Sequence, residues 1–414
     1  MQIFLVGGAV RDQLLGLPVT EKDWVVVGAT ADELLAQGFK SVGKDFPVFL
    51  HPTTQEEYAL ARQERKTAPG YGGFDFDTNA NVSLEEDLLR RDLTINAMAQ
   101  DANGAIIDPY NGQHDLQQRI LRHVSPAFSE DPLRILRIAR FSARFHHLGF
   151  HIAEETWQLM RSIVTANEVN HLVPERIWKE TVRALHEPNP QIFFEVLRNC
   201  GALARLMPEL DALFGVPQRP EFHPEIDTGI HSLMSLTQAC LLSDSTAVRF
   251  ASLIHDLGKA RTPAELLPRH HGHEQAGITP IKSLAKRLAL PKDVLELALL
   301  CAEFHTHCHR ALELTPQTLC TLFQRLDAFR RPARLELFCL CCEADARGRT
   351  GFETRPYPQA DYLRGALAHC QTIQVSELIA EGFVDAALGR AIQERRVKAL
   401  KQYKSSQQPN ENKQ

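Results

Sequence analysis

Two acidic side chains, Glu21 and Asp23, stand two residues apart at the entrance to the apolar run Trp24-Val25-Val26-Val27. On a strand, side chains two apart point the same way, so both carboxylates face one side. Hard oxygen ligands at that spacing suit Mg2+ held together with the phosphates of a nucleotide. A third carboxylate, Glu57, could join them from a neighbouring strand, with the adjacent Glu56 as its competitor. Two such ions could lower the charge on an attacking 3′-hydroxyl and on a pyrophosphate leaving group. Taken singly, each acid reads equally well as solvated surface charge.

Further residues fit the same chemistry. The segment Leu5-Val6-Gly7-Gly8-Ala9-Val10-Arg11 reads as a strand, a glycine turn and a helix carrying Arg11. Glycine lets a backbone approach a ligand, a helix start offers free N–H groups to phosphate, and Arg11 adds a charged donor. Arg90-Arg91-Asp92 ends one expected helix, and Glu130-Asp131-Pro132-Leu133-Arg134 begins another that runs on to Arg137, Arg140 and Arg144. Steps of three and four line these arginines along one side, and they put Asp131 and Arg134 on one helical turn. Far downstream, His255-Asp256-Leu257-Gly258-Lys259 follows an apolar helix, with His231 ahead of it and histidines at 270, 271, 273, 305, 307 and 309 behind. A neighbouring His and Asp can share one divalent ion that lowers the pKa of a bound water and holds a phosphate ester. Lys259 could pair with a phosphate oxygen.

These groups must be positioned by two kinds of architecture. Residues 3–6, 24–27, 46–50 and 58–61 are short β-rich runs, the last two reading as a hairpin about a His-Pro-Thr-Thr turn. Segment 67–81, rich in Gly, Asp and Asn, reads as a loop, and Ser83 with Glu86 forms a capping box for the next helix. Beyond about residue 115 strand patterns almost vanish, and helices are expected at 132–145, 175–186, 191–200, 232–242 and 247–257. The fold class is therefore α+β: a mixed α/β head over 1–140, a helical neck and body over 141–224, a helical metal-site domain over 225–330 and a helical tail over 331–414. The last residues, 401–414, are polar and read as frayed.

A net charge of −5 argues against a globally basic nucleic-acid binder, so any RNA contact must come from a local basic stripe. No apolar run reaches the roughly 20 residues of a membrane span, and the first residues lack a signal peptide's basic region. The expected compartment is therefore the cytoplasm, and the nine cysteines, which show no repeated zinc-site spacing and read as reduced, buried thiols, agree with it.

In order, Gly-Gly-Ala-Val-Arg-Asp, Glu21-x-Asp23, Arg-Arg-Asp-x-Thr-x-Asn-Ala and Glu-Asp-Pro-x-Arg-x2-Arg-x2-Arg resemble the class II tRNA nucleotidyltransferases and bacterial poly(A) polymerases over about the first 220 residues. The resemblance implies that Glu21 and Asp23 hold catalytic Mg2+, and that Gly8, Arg11, Arg91, Arg137 and Arg140 hold incoming ATP or CTP. It also makes Asp131 and Arg134 an amino-acid template for the base. That family usually carries Asp-x-Asp, and Glu21 lengthens one arm by a methylene. The downstream set resembles the HD phosphohydrolase superfamily, whose ligand order is His, His-Asp, then a distant Asp. This implies His231, His255 and Asp256, with Asp345 as the candidate last ligand and Asp327 its competitor. His305 and His271 are candidates for a second metal or for substrate, while His307 and His309 read as a polar loop.

A transferase head followed by an HD domain is similar to the bacterial multifunctional CCA proteins. The resemblance implies untemplated addition and repair of the 3′-terminal CCA of tRNA. It further implies phosphatase, 2′-nucleotidase and 2′,3′-cyclic phosphodiesterase activities; the imidazole and carboxylate ligands themselves would suit nickel, cobalt, manganese or magnesium. The expected partners are tRNA, ATP and CTP, with a monomer or homodimer and no membrane. The competing readings are a poly(A) polymerase, and an HD phosphohydrolase whose head only binds RNA.

Overall fold

The computed structural model describes residues 1–42, 48–66, 74–77 and 81–407. The chain divides into two compact units, Met1–Leu206 and Met207–Gln414. The division falls ahead of the proline-rich 217–224 segment, because the preceding turn of helix belongs to the second unit: Glu209 pairs there with Arg287 at 2.5 Å.

In the first unit the β-branched and aromatic runs become strands: β1 (Gln2–Val6), β2 (Asp23–Val27), β3 (Lys40–Val42), β4 (Val48–Leu50), β5 (Glu57–Leu60), β6 (Gln63–Lys66), β7 (Phe74–Asp77), β8 (Ala99–Gln100) and β9 (Ile106–Ile107). Seven of them form one mixed sheet in the order β3-β4-β5-β2-β1-β8-β9, while β6 and β7 pair separately. β2 and β5 run parallel; β1 with β2 and β4 with β5 run antiparallel. The register sets Asp23 opposite Glu57 on one side and opposite Val6 on the other.

Alternation along β2 explains why this sheet is rigid beneath the acids. Val25 packs with Phe4, Val6 and Leu88 on one face, and Val26 packs with Leu34, Phe49 and Leu60 on the other. A strand buried on both faces cannot slip by one residue without exposing its apolar set.

The expected strands fall within a residue or so of the observed ones, with residues 46–47 outside those described. The reading of 67–81 as a loop needs correcting. Phe74–Asp77 is a strand paired with Gln63–Lys66, its alternating Phe-Asp-Phe-Asp pattern having been outweighed by the glycines around it; 67–73 and 78–80 lie outside the described residues. The capping box is present: Ser83 Oγ accepts from Glu86 N at 3.2 Å and Glu86 Oε2 accepts from Ser83 N at 2.8 Å.

Helices Leu133–Phe145, Glu154–Thr165, Pro174–Leu185 and Pro190–Asn199 complete the first unit's larger elements. The second unit is helical, built on Thr228–Leu242, Thr246–Ile254, Lys292–His309 and Pro332–Arg347. Its last helix, Asp385–Gln407, carries the polar tail further in ordered form than its composition suggests, and 408–414 lie outside the described residues. All nine cysteines are free and eight are buried.

Candidate active sites

β1 delivers the chain into Gly7, whose φ of 69° lies in the left-handed region. That conformation favours glycine, and a Cβ there would stand 2.7 Å from Arg91 Nη1 and displace the guanidinium. Gly8 then opens the helix Gly8–Leu14, which carries the buried Arg11. Arg11 Nε donates to Asp12 Oδ1 at 2.8 Å and Nη1 donates to Asn96 Oδ1. Its guanidinium lies over the Phe141 and Phe145 rings, 5.2 and 5.1 Å from their centroids.

Glu21, Asp23 and Glu57 are all exposed. Desolvation raises the Asp23 carboxyl above its ordinary value; Arg91 opposes this and Glu21 adds to it. A cation would relieve that concentration of negative charge. Glu56 is turned to the opposite face, where its Oε2 accepts from Trp24 Nε1 at 3.0 Å and its Oε1 lies 3.7 Å from Lys22. Among the described residues, the groups of three closely spaced metal-type ligand atoms all fall in the second unit. Glu21, Asp23 and Glu57 are thus an open set rather than a closed cage. Such a set suits Mg2+, which keeps positions for substrate phosphates.

Behind the carboxylates lies a charge network centred on Asp92, whose importance was not singled out from the sequence. Asp92 Oδ2 accepts from Arg137 Nε at 2.7 Å, and Oδ1 accepts from Asn96 Nδ2 and Leu93 N, both at 2.9 Å. Burial alone would raise its carboxyl, but Arg137 and the Asn96 hydrogen bond hold it well below the usual range. Arg140 Nε donates to Glu180 at 2.8 Å and Nη1 to Glu187 at 3.3 Å, and Arg144 reaches Asp12 at 2.8 Å. Spacing placed these arginines on one helix side, yet each is claimed by a different acid. The Asp of Arg90-Arg91-Asp92 was the available signal.

Asp131 does not ride on the helix with Arg134; the helix begins at Leu133, and Pro132 keeps the preceding residue extended. Asp131 instead accepts from Leu133 N at 3.1 Å and takes a two-pronged contact from Arg176, at 2.8 and 3.4 Å. Arg134 is buried, its Nη1 donating to Ala127 O at 2.9 Å and its Nη2 to Arg90 O at 2.6 Å. Arg176 was not foreseen, because it comes from another helix 45 residues on.

In the second unit, His255 caps the end of Thr246–Ile254 and Asp256 follows it. His231, His255, Asp256 and Asp345 are all buried. His231 Nε2 lies 3.1 Å from Asp345 Oδ1, and His255 Nε2 lies 3.2 Å from Asp256 Oδ2 and 3.5 Å from Asp345 Oδ2. Burial alone would lower the His255 ring, but Asp256 and Asp345 push it up to about 9. The cluster calls for positive charge, and His255 Nε2 has no hydrogen-bond partner although buried. Its Nδ1 lies 2.8 Å from Ser252 O, which fixes Nε2 as the nitrogen presented to the cluster. The imidazole and carboxylate donors fit a divalent ion.

Around this core, Glu225 Oε1 sits 2.9 Å from His231 Nδ1, Lys259 Nζ 2.6 Å from Asp256 Oδ2, and Arg349 Nη2 3.4 Å from Asp345 Oδ1. His307 and His309 are on the helix Lys292–His309 rather than a loop, and His309 Nε2 reaches Asp345 Oδ2 at 2.6 Å. A helix continuing through Phe304-His305-Thr306-His307 was hidden by its polar composition. His305 joins the cluster, and so does His273 rather than its neighbour His271; Asp327 instead pairs with Arg330 and Arg331.

Residues 3–122 match a poly A polymerase head domain, residues 149–214 a probable RNA and SrmB-binding site of polymerase A, and residues 228–331 an HD domain. The chain is 62% identical over 405 residues to the multifunctional CCA protein of Thioalkalivibrio sulfidiphilus, covering 98% of this chain and 99% of that protein. It is 60% identical over 409 residues to that of Hahella chejuensis, covering 99% and 97%. This chain belongs to the multifunctional CCA protein family.

The fold agrees with that of solved CCA-adding enzymes. The Bacillus stearothermophilus CCA-adding enzyme in complex with CTP superimposes with a TM-score of 0.64 at 23% identity, over 97% of this chain and 89% of that one. The Thermotoga maritima CCA-adding enzyme complexed with tRNA gives 0.61 at 18% identity, over 98% and 92%. In this chain the carboxylates Glu21, Asp23 and Glu57 lie in the first unit and the histidine cluster in the second. No helix among the described residues is long and apolar enough to cross a membrane.

Proposed function

We propose that this chain adds and repairs the 3′-terminal CCA of tRNA from CTP and ATP, releasing pyrophosphate, and that its HD unit hydrolyses phosphate esters at RNA ends. The observation that carries the first activity is the register setting Asp23 against Glu57, beside the Gly7 turn and within electrostatic reach of Arg91 and Arg137. Relatives named for CCA addition support it. Glu21, Asp23 and Glu57 would hold Mg2+, which would lower the pKa of the attacking 3′-hydroxyl and stabilise the negative charge of the leaving pyrophosphate. Gly8, Arg11, Arg91, Arg137 and Arg140 hold the nucleotide, with Asp92 and Glu180 keeping two of those arginines extended.

Asp131 and Arg134 select the base. A carboxylate accepts from the exocyclic amino group that C and A share, and a guanidinium donates to their ring acceptors. U and G present the opposite pattern and leave these groups unpaired. Arg176 orients Asp131 until a base arrives, and backbone carbonyls hold Arg134. Asp131→Ala is expected to raise misincorporation of UTP relative to CTP roughly tenfold to a hundredfold, the worth of one hydrogen bond to a charged group. Competition between labelled UTP and CTP on tRNA lacking CCA measures it; unchanged selectivity would reject the template.

Support for tRNA as the substrate comes from a recess of about 660 Å³ lined by Arg161, Arg198 and Arg205, inside the segment that matches an RNA-binding family. Such contacts read the backbone and shape of duplex RNA, and they weaken with salt.

In the HD unit, His231, His255, Asp256 and Asp345 hold a divalent ion, nickel, cobalt, manganese or magnesium, which when bound lowers the pKa of water. Lys259 and Arg349, standing beside the carboxylates, receive phosphate oxygens. Phosphatase, 2′-nucleotidase and 2′,3′-cyclic phosphodiesterase activities all fall within this chemistry. Removing a terminal phosphate frees the 3′-hydroxyl that the head extends.

A further inference from the structure

Segment 217–227, which leads into Thr228–Leu242, is fastened to the second unit's interior by its polar groups. Gln218 Oε1 accepts from Lys259 Nζ at 2.6 Å, and Glu225 Oε1 sits 2.9 Å from His231 Nδ1. The His223 ring lies 4.7 Å from that of His231, and Pro217 O accepts from His270 Nε2 at 2.9 Å.

With those groups turned inward, apolar ones are left outside. Phe222 is 53% exposed and Ile226 48%. Among the described phenylalanines Phe222 alone is exposed, so this chain otherwise keeps such rings out of water. The backbone here is held under strain. Ile226 has a φ of 62°, an unfavourable conformation for a β-branched residue, in a turn where Asp227 N donates to Glu225 O at 2.6 Å. It persists because both neighbours are fixed: Glu225 by His231, and Asp227 by the Ile230 N–H that it accepts at 2.9 Å as the next helix begins.

Positive charge surrounds the exposed ring. The Arg219 guanidinium lies over it, 4.7 Å from the centroid, in a turn where Phe222 N donates to Arg219 O at 3.1 Å. A second arginine links the ring's backbone to the cluster: Arg349 Nη1 donates to Phe222 O at 3.5 Å, and its Nη2 lies 3.4 Å from Asp345 Oδ1. One guanidinium therefore spans the distance from Phe222 to a carboxylate of the hydrolytic centre. An aromatic ring with an arginine over it is the surface on which a nucleobase stacks, whatever its hydrogen-bonding edge. An alkyl phosphate has no flat group to offer such a surface.

We propose that Phe222, with Arg219 beside it, is the nucleobase platform of the HD unit, stacking the base of the terminal nucleotide whose phosphate ester is hydrolysed at the histidine cluster. The proposal rests on the reading of that unit as a hydrolase of phosphate esters at RNA ends, and it makes the substrate a nucleotide rather than any phosphate ester. Phe222 touches the base and not the reacting atoms, so its contact is equally strong before and during the reaction. Such a contact sets KM and leaves kcat alone.

The test uses the full-length chain and two cyclic diesters, 2′,3′-cyclic AMP and glycerol 1,2-cyclic phosphate, which has the same reacting ring and no base. Phe222→Ala is expected to raise KM for the nucleotide roughly tenfold to a hundredfold, the worth of one stacked base, with kcat little changed. Its kinetics on the glycerol diester should match wild type. Phe222→Trp restores a stacking face and should keep the wild-type KM for the nucleotide. A short RNA ending in a 2′,3′-cyclic phosphate should show the same loss in Phe222→Ala, since the terminal base is the one held. An unchanged KM for cyclic AMP in Phe222→Ala would overturn the platform. So would an equal loss on both diesters, which would mean that the segment had been disturbed rather than a base contact removed, or a loss with the RNA alone, which would move the contact to another base. Failure of wild type to hydrolyse either diester or the RNA would instead remove the hydrolase reading, and the platform with it.

Discussion

Asp23→Ala is expected to slow nucleotide addition by about a thousandfold or more, while phosphate-ester hydrolysis by the second unit stays at its wild-type rate. The size follows from several kcal/mol of charge stabilisation carried by a metal ligand, at a tenfold change per 1.36 kcal/mol. Stability should hardly change, because Asp23 is exposed and its carboxyl is raised, not lowered, by its surroundings. Folding gains little from that charge, so its removal costs little. Single-turnover addition of CTP to tRNA lacking CCA, beside a melting curve, separates the two. A variant retaining a tenth of the wild-type rate would mean that Glu21 and Glu57 suffice.

His255→Ala is expected to have the reverse effect. Hydrolysis of a 2′,3′-cyclic nucleotide should fall about a thousandfold, on the same reasoning for loss of a metal ligand, and CCA addition to a tRNA with a free 3′-hydroxyl should be unchanged. Here stability is at stake as well. His255 is buried against Asp256 and Asp345, and removing it leaves carboxylates with less compensation, at a cost on the order of 3–5 kcal/mol. Lys259 and His309 remain beside those acids and moderate the loss. The check is therefore the rate per folded molecule, with addition by the head as an internal control. Undiminished hydrolysis would move the chemistry away from this cluster.

Much of the fold was legible because local patterns agree with long-range ones. The β2 run alternates between two cores, the capping box at Ser83 is satisfied on both sides, and the helices after residue 132 keep apolar faces. The acids at 21, 23 and 57 were legible as candidates because strand geometry is periodic. Glu57 could not be separated from Glu56 until the register of β5 against β2 was known.

What sequence spacing could not convey was partnership across elements. Asp92, Arg176 and Glu180 look like surface charges until the chain folds them against Arg137, Asp131 and Arg140. Asp131 left the helix because the proline after it forces an extended residue, a local rule that i to i+3 counting overlooked. His273 and His309 were misjudged for another reason. Both lie in polar stretches, and only the approach permitted by Gly258 and the continuation of Lys292–His309 turn them toward the acids.

The most direct measurement of the central claim is incorporation of labelled CTP and ATP, singly and together, into tRNA transcripts lacking CCA, with the ends sequenced. Two C additions followed by one A, and no growth beyond them, are expected. Long A tails without C would make the chain a poly(A) polymerase, and no incorporation at all would leave it a phosphohydrolase with a head that only binds RNA.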